Sequence, residues 1–152
     1  MNLHRFLFLF ILSLVSFISP LASINAIAEI DSEEVQGLKT ISAEDLKKMI
    51  DDKQPVLLLD ARKNHRGGML PGAKPMPYSS SDKEIKAILG NTSKDMTIVV
   101  YCSNAFCPVS RHLGKRLILL GYKNIYRYTD GLSGWIQKNY PLDTDKPNAI
   151  QK

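Results

Sequence analysis

Two cysteines five residues apart, Cys102 and Cys107, are the only thiols of the 152-residue chain, and the residues between them, Ser103, Asn104, Ala105 and Phe106, carry no charge. The segment leading into them, Thr97-Ile98-Val99-Val100-Tyr101, is β-branched and aromatic throughout, which predicts a buried strand that ends at Cys102. Pro108 suits the first position of a helix, and Val109, Leu113, Leu117 and Leu120 then form an apolar stripe that stops at Gly121. Cys102 is therefore expected in a strand-to-helix loop, the place where open α/β sheets bind ligands. The backbone amides of Ser103 to Cys107, with the positive end of the following helix, are expected to form an anion cradle. A thiol pointing into it has a lowered pKa and is held as the nucleophilic thiolate. Two readings of Cys107 stay open: a resolving thiol that attacks an oxidised or persulfidated Cys102, or an inert neighbour.

The elements that must position this loop alternate along the chain. Thr40-Ile41 reads as a short strand, and Ser42 with Asp45 caps a helix whose face is Leu46, Met49 and Ile50. Val56 to Leu59 is a continuous apolar run, as in a strand covered on both faces, and it ends in Asp60-Ala61-Arg62. Residues 64–72 read as loop, and Ala73 to Met76 as a short strand. Ser81 with Glu84 caps a further helix that stops at Gly90, Asn124 to Tyr128 is a strand, and Gly131 to Asn139 a final short helix carrying Trp135. The order predicts an α/β fold, a parallel sheet with helices on both faces.

Composition narrows the class. Residues 1–28 read as an export signal, with His4 and Arg5 ahead of an apolar run from Phe6 to Ile18 and a small-x-small cleavage site at Ala26-Ile27-Ala28. The expected destination is the bacterial periplasm or the exterior, with an N-terminal membrane anchor if the signal is not cleaved. Beyond it lie a tail over 29–37, one domain over 38–143 and a second tail over 144–152, a length that supports one core and not two. The chain carries 20 basic and 15 acidic residues, a net charge of +5. The basic residues are dispersed and lack interleaved aromatics, so nucleic-acid binding is not expected, nor is membrane contact beyond the export signal. His65 and His112 stand apart without ligand spacing and read as surface residues, so no metal is expected. Both cysteines in one loop of an exported protein make a disulfide the first suspicion.

Several short signatures occur in order: Asp60-Ala61-Arg62, Gly68-Met69-Leu70-Pro71-Gly72-Ala73, Tyr101-Cys102 with its six-residue loop, Leu120-Gly121-Tyr122, Gly131-Leu132-Ser133-Gly134-Trp135, and Tyr140-Pro141. Together they resemble a single-domain sulfurtransferase of the rhodanese family, over about residues 38–143. The resemblance implies a rhodanese-like fold and sulfur transfer without a cofactor. The Cys102 thiolate would take sulfane sulfur from a small anionic donor such as thiosulfate, and the resulting persulfide would pass it to a thiol or cyanide. The loop departs from the family pattern in having neither glycine nor basic residue. Arg111, one turn into the helix, and Arg62 are the nearest candidate cations, and Asp60 with Arg62 reads as a bracing ion pair. Phosphatases of this fold carry an arginine six positions after the cysteine, where this chain has Pro108. Two other readings compete: a thiol-disulfide module using Cys102 and Cys107, and a non-catalytic domain that binds a partner.

Overall fold

The computed structural model describes residues 35–143, and the export signal expected at 1–28 lies outside the described residues. Five parallel strands form one sheet in the order β1-β5-β4-β2-β3. The strands are β1 (Leu38–Ile41), β2 (Val56–Asp60), β3 (Lys74–Pro75), β4 (Thr97–Tyr101) and β5 (Asn124–Tyr128). Four helices connect or follow them: α1 (Ala43–Asp51), α2 (Asp82–Leu89), α3 (Val109–Leu119) and α4 (Gly131–Gln137). This is the expected parallel α/β architecture.

Alternation along the strands divides the core in two. Val99 and Tyr101 of β4 face one side, with Leu46 of α1 and Leu132 and Trp135 of α4. Ile98 and Val100 face the other, with Ile85 and Leu89 of α2 and Leu113 and Leu117 of α3. Because β4 is covered on both faces, its sequence is apolar without alternation. The predicted caps form: the Ser42 hydroxyl accepts from the Asp45 amide, and Ser81 and Glu84 make a reciprocal box at the start of α2. Gly90 ends α2 at a positive φ of 51°, where a side chain would be strained. Pro108 caps α3 with helical angles, one residue before the position expected, a shift within the usual ambiguity of helix ends. Among the described residues no helix is long and apolar enough to cross a membrane.

Registration fixes where the loops meet. Asp60, Tyr101 and Tyr128 stand side by side at the carboxyl ends of β2, β4 and β5. From β2 the chain runs outward to β3, and from β4 it runs the opposite way to β5, so the crevice between β2 and β4 is the switch point of the sheet. Cys102 opens onto that end.

Two buried phenols give the domain a sign for its alkaline response. Burial, then the charge of Asp130, pushes Tyr128 up from 10.0 to about 12; burial, then the charge of Asp60, raises Tyr101 further. Both hold their protons in the fold at a pH where the unfolded chain releases them. Their contribution to stability is thus complete below pH 10 and is lost as pH rises towards 12 and beyond. Thermal melts across that range should show a falling midpoint; a flat profile would place these phenols in contact with water.

Candidate active site

Cys102 follows β4 directly and is 2% exposed. It is joined to Cys107 by a disulfide, with the two Cα atoms 6.2 Å apart. Of the two readings that the sequence leaves open for Cys107, the structure thus shows it covalently paired. The lowered thiol pKa expected of Cys102 belongs only to the reduced protein, because a disulfide sulfur does not titrate. Within the loop, the amide of Phe106 donates to the Asn104 side-chain oxygen at 3.1 Å and that of Cys107 to the Asn104 carbonyl at 3.2 Å. Two of the five amides expected to face an anion are therefore turned onto Asn104.

The loop is held from two sides. At the start of α4, the amides of Leu132 and Ser133 donate to the carbonyls of Cys102 and Ser103 at 2.9 and 2.8 Å. Beneath, Arg127 of β5 donates through Nε to the Ser110 hydroxyl at 3.1 Å and through a terminal nitrogen to the carbonyls of Cys107 and Ala105 at 3.2 and 3.4 Å. Arg127 is buried and is not among the cations expected at the site, Arg62 and Arg111. Arg127 lies in a strand that pairs on both edges, and a buried arginine there needs partners, which the assembled sheet supplies.

Gly131 gives the loop its close approach to α4. Its φ is +60°, and a Cβ there would stand 2.5 Å from the Cys102 carbonyl oxygen and 2.8 Å from the Asn104 nitrogen. Those are backbone atoms, which cannot rotate away. Gly131→Ala is expected to cost about 3 kcal/mol, from strain at the positive φ and the displaced loop. Urea unfolding measures this, and a loss under about 1 kcal/mol would show the loop free to yield.

On the β2 side, Arg62 closes on Asp60 through Nε and a terminal nitrogen, the shortest contact being 2.6 Å, and its other terminal contact reaches the Gly68 carbonyl at 2.7 Å. The Tyr101 hydroxyl donates to Asp60 at 2.8 Å and accepts from the Leu70 amide at 3.1 Å. Burial alone would lower the Arg62 pKa, but hydrogen bonds and charge from Asp60 outweigh it and the net shift is upward. All these donors and acceptors are occupied with one another. Asp60 and Arg62 thus brace the loop between β2 and β3 beside Cys102, as expected of an ion pair. Arg111 lies in the first turn of α3, partly buried. His65 corrects the sequence reading: it is not a surface residue, since its side chain is 12% exposed and its Nε2 lies 4.0 Å from Asp60. The Gly68 amide closes a turn onto the His65 carbonyl at 3.2 Å, and the side chain lies towards the buried Asp60 at the end of β2. His112 is exposed. Among the described residues no group of histidine, cysteine and carboxylate side chains could hold a metal ion.

Trp135 is fully buried, its indole donating to the Pro141 carbonyl at 2.7 Å and its ring meeting Tyr128 and Tyr140 edge to face. It anchors α4, and through α4 the amides that hold Cys102.

Comparison with known proteins adds a family to this geometry. A model of the rhodanese-like domain matches residues 42–138. A Bacillus halodurans protein of known structure superposes with a TM-score of 0.63 at 17% identity, over 75% of this chain and 85% of its own. EanB, solved in complex with ergothioneine covalently linked to a persulfide, superposes at 0.58 with 20% identity, over 69% of this chain and 28% of its own. A Rhodopseudomonas palustris protein, described as of unknown function and a possible tyrosine phosphatase, superposes at 0.57 with 18% identity, over 71% of this chain and 86% of its own. Among curated proteins no match is found. At these identities the structural likenesses show the fold.

Proposed function

Since the chain belongs to the rhodanese-like domain family, we propose that its reduced form is a sulfurtransferase that carries sulfane sulfur on Cys102. The observation that carries this reading is the placement of Cys102. It lies at the carboxyl end of the central strand, with its own carbonyl and that of Ser103 tied to α4. Those ties fix the first two loop carbonyls against α4, and in the reduced protein the early loop amides would stabilise an anionic donor and the persulfide.

The chemistry balances without a cofactor. The Cys102 thiolate attacks the outer sulfur of thiosulfate; a new sulfur–sulfur bond forms to Sγ, the old one breaks, and sulfite leaves with the electron pair. Cyanide or a thiolate then attacks the outer sulfur of the persulfide and returns Cys102 as thiolate. The persulfide in EanB is a property of that protein, and it makes the same intermediate a reasonable expectation on this fold. Phosphatase chemistry fits less well, because the position of the phosphate-clamping arginine is Pro108 and the buried Arg127 is turned onto loop carbonyls. Export, as expected from residues 1–28, would place the cysteine pair in an oxidising compartment.

The test is thiocyanate formation from thiosulfate and cyanide by protein reduced with dithiothreitol and desalted. Turnover by the reduced protein and none by the oxidised protein is expected. Silence in both states would overturn the reading. The disulfide itself supports a second reading, in which exchange of the pair with substrate thiols is the activity. Cys107→Ser separates them, since it preserves sulfur transfer under the first and abolishes function under the second.

A further inference from the structure

We propose that the Cys102–Cys107 disulfide is a gate on this site, opened by a dithiol protein that rests on Phe106 and attacks Cys107. What the gate controls rests on the sulfurtransferase reading; where it is opened does not.

Three observations converge. The two sulfurs belong to unequally accessible residues, Cys102 being 2% exposed and Cys107 partly exposed at the foot of α3. Phe106, the residue before Cys107, is 96% exposed, more than any other large apolar residue in the described part of the chain. One exposed phenylalanine on a surface needs no explanation, but this one stands at the tip of the loop that the disulfide closes. Lastly, the loop residues Ser103 to Phe106 are uncharged, so a partner meets Phe106 beside the polar but neutral Asn104, with no charge in the loop to match. A protein carrying a dithiol is the occupant that uses all three: an apolar contact for docking, a partly exposed cysteine for attack, and a buried cysteine to leave.

The exchange is balanced. A partner thiolate forms a bond to the Cys107 sulfur, the 102–107 bond breaks, and the electron pair stays on Cys102. The second partner thiol, deprotonated, attacks the mixed disulfide and releases Cys107, which takes up the proton. The partner is oxidised by two electrons and this chain is reduced by two. Cys102 is the leaving group because attack on the more exposed cysteine, Cys107, expels the sulfur bonded to it. Opening the gate need not move it. Leu132 and Ser133 hold the carbonyls of Cys102 and Ser103, and Arg127 holds those of Ala105 and Cys107, through hydrogen bonds that do not involve the sulfurs.

The experiment uses the oxidised full chain, with bacterial thioredoxin as the probe dithiol protein and dithiothreitol as the small dithiol. A thioredoxin lacking its second cysteine traps the mixed disulfide, and peptide mass mapping should find it on Cys107, with Cys102 free to alkylation. A trap on Cys102 overturns the proposal. Phe106→Ser should lower the ratio of the thioredoxin rate to the dithiothreitol rate about tenfold, the scale of one lost aromatic contact in an interface. A ratio that does not change overturns the docking role. Chemically reduced protein, assayed separately for thiocyanate formation, keeps the two ideas apart: inactivity there defeats the sulfurtransferase reading and leaves the trapping result standing.

Discussion

Cys102→Ser is expected to reduce thiosulfate-dependent sulfur transfer to the uncatalysed level whether or not reductant is supplied, whereas Cys107→Ser should be active with no reduction step at all. The contrast is sharp because the two variants share their structural cost. Each removes the same cross-link, which closes a loop of only a few residues, so the chain-entropy loss is about 2 kcal/mol in either case. A domain of this size tolerates such a loss, since folded domains are stable by roughly 5–15 kcal/mol. Differences in activity between the two are therefore differences in chemistry. Cys102 is the residue whose carbonyl is tied to α4 and whose sulfur leaves the central strand, while Cys107 begins the approach to α3. Steady-state thiocyanate assays on both variants, with and without dithiothreitol pretreatment, decide the matter. Equal inactivity of the two would assign the function to the pair.

Asp60→Ala carries the largest expected effect on stability, a loss of about 3–5 kcal/mol. Asp60 is fully buried and gathers Arg62 and the Tyr101 hydroxyl. Removing it leaves a guanidinium at 8% exposure without its counter-charge and a buried hydroxyl without its acceptor. The penalty is mostly the stranded charge rather than the lost attraction, so Asp60→Ala combined with Arg62→Met should recover a good part of it. Tyr101 immediately precedes Cys102, so the single variant should also loosen the crevice and slow sulfur transfer beyond its effect on folding. Urea denaturation of the single and double variants tests the brace. An Asp60→Ala variant within about 1 kcal/mol of the parent would show that Gly68 and the surrounding backbone suffice to hold Arg62.

The parts legible in the sequence were those whose cause is local. The strand into Cys102 could be read because a β-branched run covered on two faces has no alternative, and α1 and α2 because Ser42 and Ser81 have their partners three residues away. The inward turn of His65 and the grip of Arg127 on the loop were not readable in the same way. The first depends on how the loop after β2 folds back on Asp60, and the second on which strands lie side by side, since the order β1-β5-β4-β2-β3 is a property of the assembled sheet. Gly131 lies between. Its place in a short glycine-containing signature was visible, but the reason for it, a backbone pressed against the carbonyl of Cys102, exists only once α4 is docked. The disulfide likewise required the loop to bring two Cα atoms within reach, which spacing alone does not guarantee.

The central claim is that Cys102, once released from Cys107, accepts a sulfur atom. Its most direct test is intact-mass measurement of protein reduced, desalted and exposed to thiosulfate, followed by peptide mapping. A gain of about 32 Da located on Cys102, absent from protein kept oxidised and removed by cyanide, is the predicted result. Reduced protein that gains no mass, or gains it on Cys107, would contradict the account.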